Sequence, residues 1–184
     1  MRVSKQIALS AIGILFLGMT ACSDGTALKA YYTNRDEPAD SLLAGNDLPV
    51  LVLGNPYNIS AAQLHRSVVS ALQVRSDEVA VHFSDRLEDL SSPFRLTIVF
   101  APPPQTRASE LCRNPAGIRP MTIAPGQQEV PFLASFCRNG RLLSQANGVI
   151  ASGAGPTSEH FRDGLGQVAL ALFPGIDQTM ISGE

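Results

Sequence analysis

The chain has no tryptophan, and only 16% of its 184 residues are charged. Its 14 Lys and Arg stand against 16 Asp and Glu, for a net charge of -2. No surplus of cations is left to neutralise phosphates, which argues against nucleic acid as a partner. The three histidines, His65, His82 and His160, are scattered, and the cysteines lack C-x₂-C spacing. Neither a metal nor any other cofactor is expected from such a set. The G-x-S-x-G turn of a serine nucleophile is missing, as is the Gly-rich fingerprint that cradles phosphate. Ser158, Glu159 and His160 are adjacent, but successive residues of a helix point in different directions, so they read as a helix start rather than a catalytic trio. Asp85, Glu88 and Asp89 lie with Arg86 in a Ser-rich connection. They read as a solvated loop, not as the paired carboxylates of a glycosidase. A non-catalytic protein is the expectation.

What is present begins at the first residues. Arg2 and Lys5 precede an uncharged stretch from Gln6 to Gly18 with an apolar centre from Ile7 to Leu17. At about 13 residues the stretch is short of the ~20 needed to span a bilayer, so residues 1–21 read as a signal peptide. The following Leu17-Gly18-Met19-Thr20-Ala21-Cys22 resembles the lipobox of bacterial lipoproteins, with Met19 where Leu is commonest. That resemblance implies acylation of Cys22 by palmitate-type chains and a mature chain beginning there. It also implies the outer membrane, facing the periplasm, because Ser23 and not Asp follows the cysteine.

Removing Cys22 from the count leaves Cys112 and Cys137, an even pair in an oxidising compartment, and a structural disulfide is expected. It would close a loop of about 26 residues and stabilise by roughly 3 kcal/mol in the chain-entropy model. The loop holds Pro115, Gly117, Pro120, Pro125 and Gly126 and has little else to order it.

Residues 22–47 are polar and aperiodic and read as the lipidated N-terminus and a flexible tether, long enough to hold the domain well away from the bilayer. Residues 48–175 read as one globular domain, and 176–184 as a frayed tail. Leu48 to Leu53 is apolar on both faces and stops at Gly54-Asn55-Pro56, which predicts a central strand. Ser60-Ala61-Ala62-Gln63 has the form of a capping box, and Leu64, Val68, Ala71 and Leu72 recur at helical spacing over 60–74. Alternation at Val79, Val81 and Phe83 predicts a second strand, and Phe94 to Phe100 a third that ends at Pro102-Pro103-Pro104. Runs at 131–138 and 141–150 flank Asn139-Gly140, the pair suited to a type I′ hairpin. Pro156-Thr157-Ser158-Glu159 opens a last helix with Phe161, Leu165, Val168, Ala169 and Leu172 on one face. The expected fold is α+β: a single domain with a mixed or antiparallel sheet of about four to five strands and two helices packed on one face.

Cys112-Arg113-Asn114 and Cys137-Arg138-Asn139 echo each other. With the cysteines bonded, Arg113 and Arg138, joined by Arg141, would share one end of the molecule and form a cationic patch for an anionic surface. Alternatively, each Cys-Arg-Asn simply begins a turn. The capped helix, the hairpin and the C-terminal amphipathic helix together resemble an uncharacterised family of proteobacterial envelope lipoproteins. The element order is also similar to that of small auxiliary lipoproteins of outer-membrane machines. The resemblance implies a non-catalytic, auxiliary or structural domain, bound to the membrane through the lipid on Cys22, that binds another envelope protein. The alternative is a small-ligand-binding protein or hydrolase with a cleft near Gly54-Asn55 and the Pro102–Pro104 loop.

Overall fold

A computed structural model of the chain describes residues 27–32, 47–73, 81–86, 92–124, 127, 129–151 and 155–173. The expected signal peptide, Cys22 and the C-terminal tail lie outside the described residues. Strands β1 (Ala27–Tyr32), β2 (Asp47–Leu53), β3 (His82–Ser84), β4 (Phe94–Phe100), β5 (Glu129–Arg138) and β6 (Arg141–Ala151) form one mixed sheet. Its order is β1-β6-β5-β4-β2-β3, with β2 parallel to both β3 and β4 and the other pairs antiparallel. Among the described residues three α-helices accompany it: α1 (Ala61–Gln73), α2 (Ala108–Arg113) and α3 (Glu159–Leu172).

The turn and cap chemistry read from the sequence is in place. Asn139 and Gly140 take φ of 50° and 75°, the positive values both centres of a type I′ turn require. The Ser60 hydroxyl accepts the Gln63 N–H at 3.2 Å and the Ser158 hydroxyl accepts that of Phe161 at 3.3 Å, each satisfying an orphan donor at a helix start.

Strand alternation sends the apolar residues of β4 and β5 to both sides of the sheet. Leu96, Ile98, Phe100, Phe132, Ala134 and Phe136 join Leu64, Val68 and Leu72 of α1 and Phe161, Leu165 and Val168 of α3 in the main core. On the other side Val99 and Leu133 pack with Ala108 and Leu111 of α2 in a smaller cluster. A bulge at Leu143, opposite the step from Phe136 to Cys137, turns Leu143 to the main-core side together with Ser144, while Leu142 reaches the α2-side cluster.

Two expectations are corrected here. The sheet has six strands, not four to five, because β1 lies inside the 22–47 segment read as tether. Among the described residues its ladder is to β6, opposite the small residues Ala146 and Gly148, and such an edge leaves little periodic signature. Among the described residues the α-helices are three rather than two, and they are not all on one face. At six residues, α2 is too short to nucleate by itself and depends on tertiary contacts. The Glu110 carboxylate accepts the Arg107 N–H at 3.3 Å to close its first turn, while Leu111 and Cys112 are buried.

The ladders define two ends of the domain. The hairpin end holds Asn139-Gly140 and the starts of β2 and β4. The loop end holds the start of β1, the end of β6 and the ends of β2 and β4. At the loop end Gly54 has φ of 79°, and a Cβ there would lie 2.9 Å from Pro120 Cβ and against the Phe100 carbonyl. Gly54→Ala is therefore expected to lower stability by about 1–3 kcal/mol, read as a shift of the denaturation midpoint at unchanged slope.

Candidate functional site

The hairpin end carries a cleft of about 330 Å³ whose walls come from three elements: the segment before β4, the end of α2, and the β5–β6 turn. Its lining includes Ser92, Arg95, Arg113, Asn139 and both half-cystines. Cys112 and Cys137 are bonded, as expected, with their Cα atoms 5.5 Å apart. The bond ties α2 to the strand beneath it. The pocket is built because Asn139 N–H donates to Pro93 O at 2.7 Å, drawing the hairpin tip onto the segment that leads into β4.

Arg95 forms the cationic wall. It is the cross-strand partner of Cys137, and by alternation it faces the α2 side of the sheet. Its Nη2 donates to the Cys112 carbonyl at 2.9 Å, satisfying a backbone acceptor near the end of α2. Its Nε is buried without a partner. Two residues along, Thr97 is fully buried with its hydroxyl unpaired, while Ser135 opposite it donates to Ala108 O at 3.0 Å. Polar groups under α2 are thus partly used to hold the helix and partly left unsatisfied. Arg113 is exposed and is steadied by its own helix, Nε donating to Ser109 O at 3.4 Å.

The three arginines expected to form one patch share the hairpin end, but not one face. Arg113 lines the cleft. Arg138 is one residue beyond Cys137 and so faces the opposite side, where its guanidinium stands 5.5 Å from the centre of the Phe94 ring. Arg141 is exposed at the start of β6. The reading of Cys-Arg-Asn as a turn start applies to both copies: Asn139 lies in the left-handed region of the hairpin turn, and the Asn114 carbonyl accepts the Gly117 N–H at 3.1 Å to open a 3-10 turn over Pro115–Gly117. In the first copy, Asn114 also caps α2. Sequence reasoning missed Arg95. The available signal was a single cation in an otherwise apolar or neutral strand, Phe94-Arg95-Leu96-Thr97-Ile98-Val99-Phe100.

The residues of the alternative cleft are engaged in their own loop. The Asn55 amide donates to Ile59 O at 2.7 Å and its carbonyl oxygen accepts Tyr57 N–H at 3.1 Å, an Asx-type turn. Gly54 is filled by Phe100 and Pro120 as described above. Tyr57 packs edge-on against Phe161 at 5.7 Å, and its hydroxyl is buried without a partner. Burial pushes that phenol up to about 12. Among the histidines, His65 Nε2 lies 2.7 Å from Val50 O and must donate there, since a carbonyl only accepts. His82 and His160 are exposed. No group of three metal-ligating side chains occurs among the described residues. A second, open cleft of about 470 Å³ lies between α1 and β3, beside Arg66, Phe83 and Asp85.

No family model matches the chain, and no curated protein does. Among solved structures, its backbone is similar to that of the PelC dodecamer from Paraburkholderia phytofirmans. One crystal form of a point variant is 14% identical with a TM-score of 0.45, covering 79% of this chain and 98% of that one. A second form of the dodecamer is 12% identical with a TM-score of 0.45, covering 81% and 98%. Likeness at that level transfers no residue role.

Replacing both half-cystines by serine is expected to cost roughly 3 kcal/mol by the loop-entropy relation, and to loosen α2 first, visible as faster amide exchange at residues 108–113. The Tyr57 shift has a defined sign. Because its pKa is raised above the usual 10 to about 12, the folded state holds the phenolic proton longer. The associated stability is intact below pH 10 and lost as the pH rises through 12. Tyr57→Phe is expected to remove that alkaline loss and to leave neutral-pH stability equal or higher, since an unpaired buried hydroxyl disappears. Denaturation series at neutral and alkaline pH check both.

Proposed function

We propose that this chain is a lipid-anchored component of the bacterial cell envelope, held through Cys22 in the outer membrane and facing the periplasm. In this reading residues 1–21 are removed as a signal peptide, and the domain acts without catalysis, by binding another envelope protein. The observation that carries the binding assignment is the polar cleft of the hairpin end, walled by Arg95 and Arg113 beside the disulfide. Such a cleft suits an acidic side chain or chain terminus. Arg95 is held rigidly by the Cys112 carbonyl, so little ordering entropy is lost when it meets an anion. Arg113, exposed at the rim, extends the same field, while Arg138 and Arg141 contribute charge on the flanks of the hairpin.

The disulfide supports the compartment, because such bonds persist in oxidising spaces. The segment Leu17 to Cys22 supports the anchor by its resemblance to a lipobox. Against a small-molecule enzyme stands the use already made of the candidate polar groups: Asn55 closes its own loop and His65 closes an open carbonyl of β2.

The test is capture from native membranes with a photocrosslinking residue in place of Arg141, exposed at the start of β6 beside the cleft. A discrete envelope protein in stoichiometric amount is expected. Arg113→Ser should weaken its capture about tenfold, the effect of losing one charge-assisted hydrogen bond of roughly 1.5 kcal/mol. Cys22→Ser should abolish it by releasing the domain from the membrane. An empty capture from the acylated protein would overturn the reading.

A further inference from the structure

We infer that the loop end of the domain is apposed to the lipid bilayer, with the segment Pro120–Ala124 and the Pro102–Pro104 loop forming the contact surface. This rests on the acylation of Cys22 proposed above. The tether expected at 22–47 does not have its expected reach, because β1 begins at Ala27 and is already part of the sheet. From Cys22 to Ala27 the chain is five residues, and a fully extended chain spans at most about 3.3–3.6 Å per residue, or roughly 17 Å. An acyl anchor at Cys22 therefore holds the start of β1 at the membrane surface.

The end of the sheet so presented follows from the ladders. Ala27 is opposite Val149 near the end of β6, Ala151 is opposite Glu129, and Phe100 is opposite Phe132. All lie at the loop end, away from the Asn139-Gly140 turn. An independent observation marks the same end. Met121 is 47% exposed, and it is the exposed large hydrophobic residue among those described. Its N–H donates to Ala101 O at 2.8 Å, which pins it over the end of β4, and Pro120 lies against Gly54 at the end of β2. The segment crosses the sheet end, from Ile118 in the α2-side cluster to Ile123 against the main core. A backbone hydrogen bond and packing at both margins thus hold Met121 outward.

The loop segments of this end, residues 54–63, 101–106 and 120–124, contain no Asp, Glu, Lys or Arg, and Arg107, Arg119 and Glu129 stand at their margins. The hairpin end carries Asp47, Arg95, Arg113, Arg138 and Arg141. Uncharged loops with an outward methionine and prolines can rest in the headgroup region at little desolvation cost, with Arg119 and Glu129 at their margin able to stay solvated, whereas the hairpin end faces away and keeps its cleft open to a partner.

The experiment uses the full acylated chain in vesicles of phosphatidylethanolamine and phosphatidylglycerol containing some brominated phosphatidylcholine. An environment-sensitive dye is placed on Met121→Cys or, separately, on Arg141→Cys, both exposed positions, with Cys112 and Cys137 remaining bonded. Flotation and the mass of the N-terminal peptide report the anchor. The expected result is a floating, acylated protein whose dye at 121 shifts to the blue and loses emission to bromine, while the dye at 141 does neither. If the protein floats and the dye at 121 behaves like that at 141, apposition is wrong although the anchor stands. If Cys22 carries no acyl group and the protein stays with the soluble fraction, the anchor reading fails and this one with it.

Discussion

The structure depends on β4 and β5 being apolar on both faces. A strand pair of this kind cannot leave either side to water, so two layers of cover are required. One side is covered in an ordinary way by α1 and α3, which bring Leu64, Val68, Leu72, Phe161 and Leu165 onto the phenylalanines of β4 and β5. The other side is covered, among the described residues, by the six-residue helix α2 over Val99 and Leu133, with Ile118 beside it. So short a helix is marginal in isolation. It is held by the bond from Cys112 to Cys137, by the Ser135 hydroxyl on Ala108 O, and by the Arg95 guanidinium on Cys112 O. The polar residues on this side of the sheet thus serve the helix backbone, and the disulfide adds the constraint that propensity lacks.

The same arrangement creates the cleft. Holding the end of α2 above β5 while the hairpin tip is drawn onto Pro93 leaves a polar recess between them, with a cation fixed at its wall. The unpartnered Arg95 Nε and Thr97 hydroxyl are the energetic cost of placing polar side chains under a helix too short to satisfy them all. The domain is thereby polarised along its strands. One end has a disulfide, a cleft and arginines. The other has uncharged loops closed tightly on themselves, by the Asn55 turn and by the contact of Gly54 with Phe100 and Pro120. The strand directions supply that separation, because the starts of β2 and β4 lie with the β5–β6 turn and their ends lie with the start of β1.

Features set by neighbours in sequence were legible from the residues. Asn139-Gly140 specifies its turn through the φ values it tolerates, Ser60 and Ser158 specify helix starts through their hydroxyls, and 3.6-residue spacing marks the buried faces of α1 and α3. The cysteine pairing followed from the count of cysteines and the compartment expected from the N-terminal residues. Three things were not legible, each for a non-local reason. β1 is a strand because β6 offers an unpaired edge lined with small residues, not because Ala27 to Tyr32 insists on it. α2 exists because a disulfide and an apolar sheet face receive it. The directions of the arginines were decided by register: Cys137 and Arg138 are adjacent in sequence but face opposite sides of the sheet, so Arg138 goes to the Phe94 ring and the cleft receives Arg95 from another strand. Local periodicity and turn chemistry thus determined the main helices and the hairpin, while the outer strand, the small helix and the makeup of the cleft waited on tertiary pairing, because each is stabilised chiefly by residues distant in the chain.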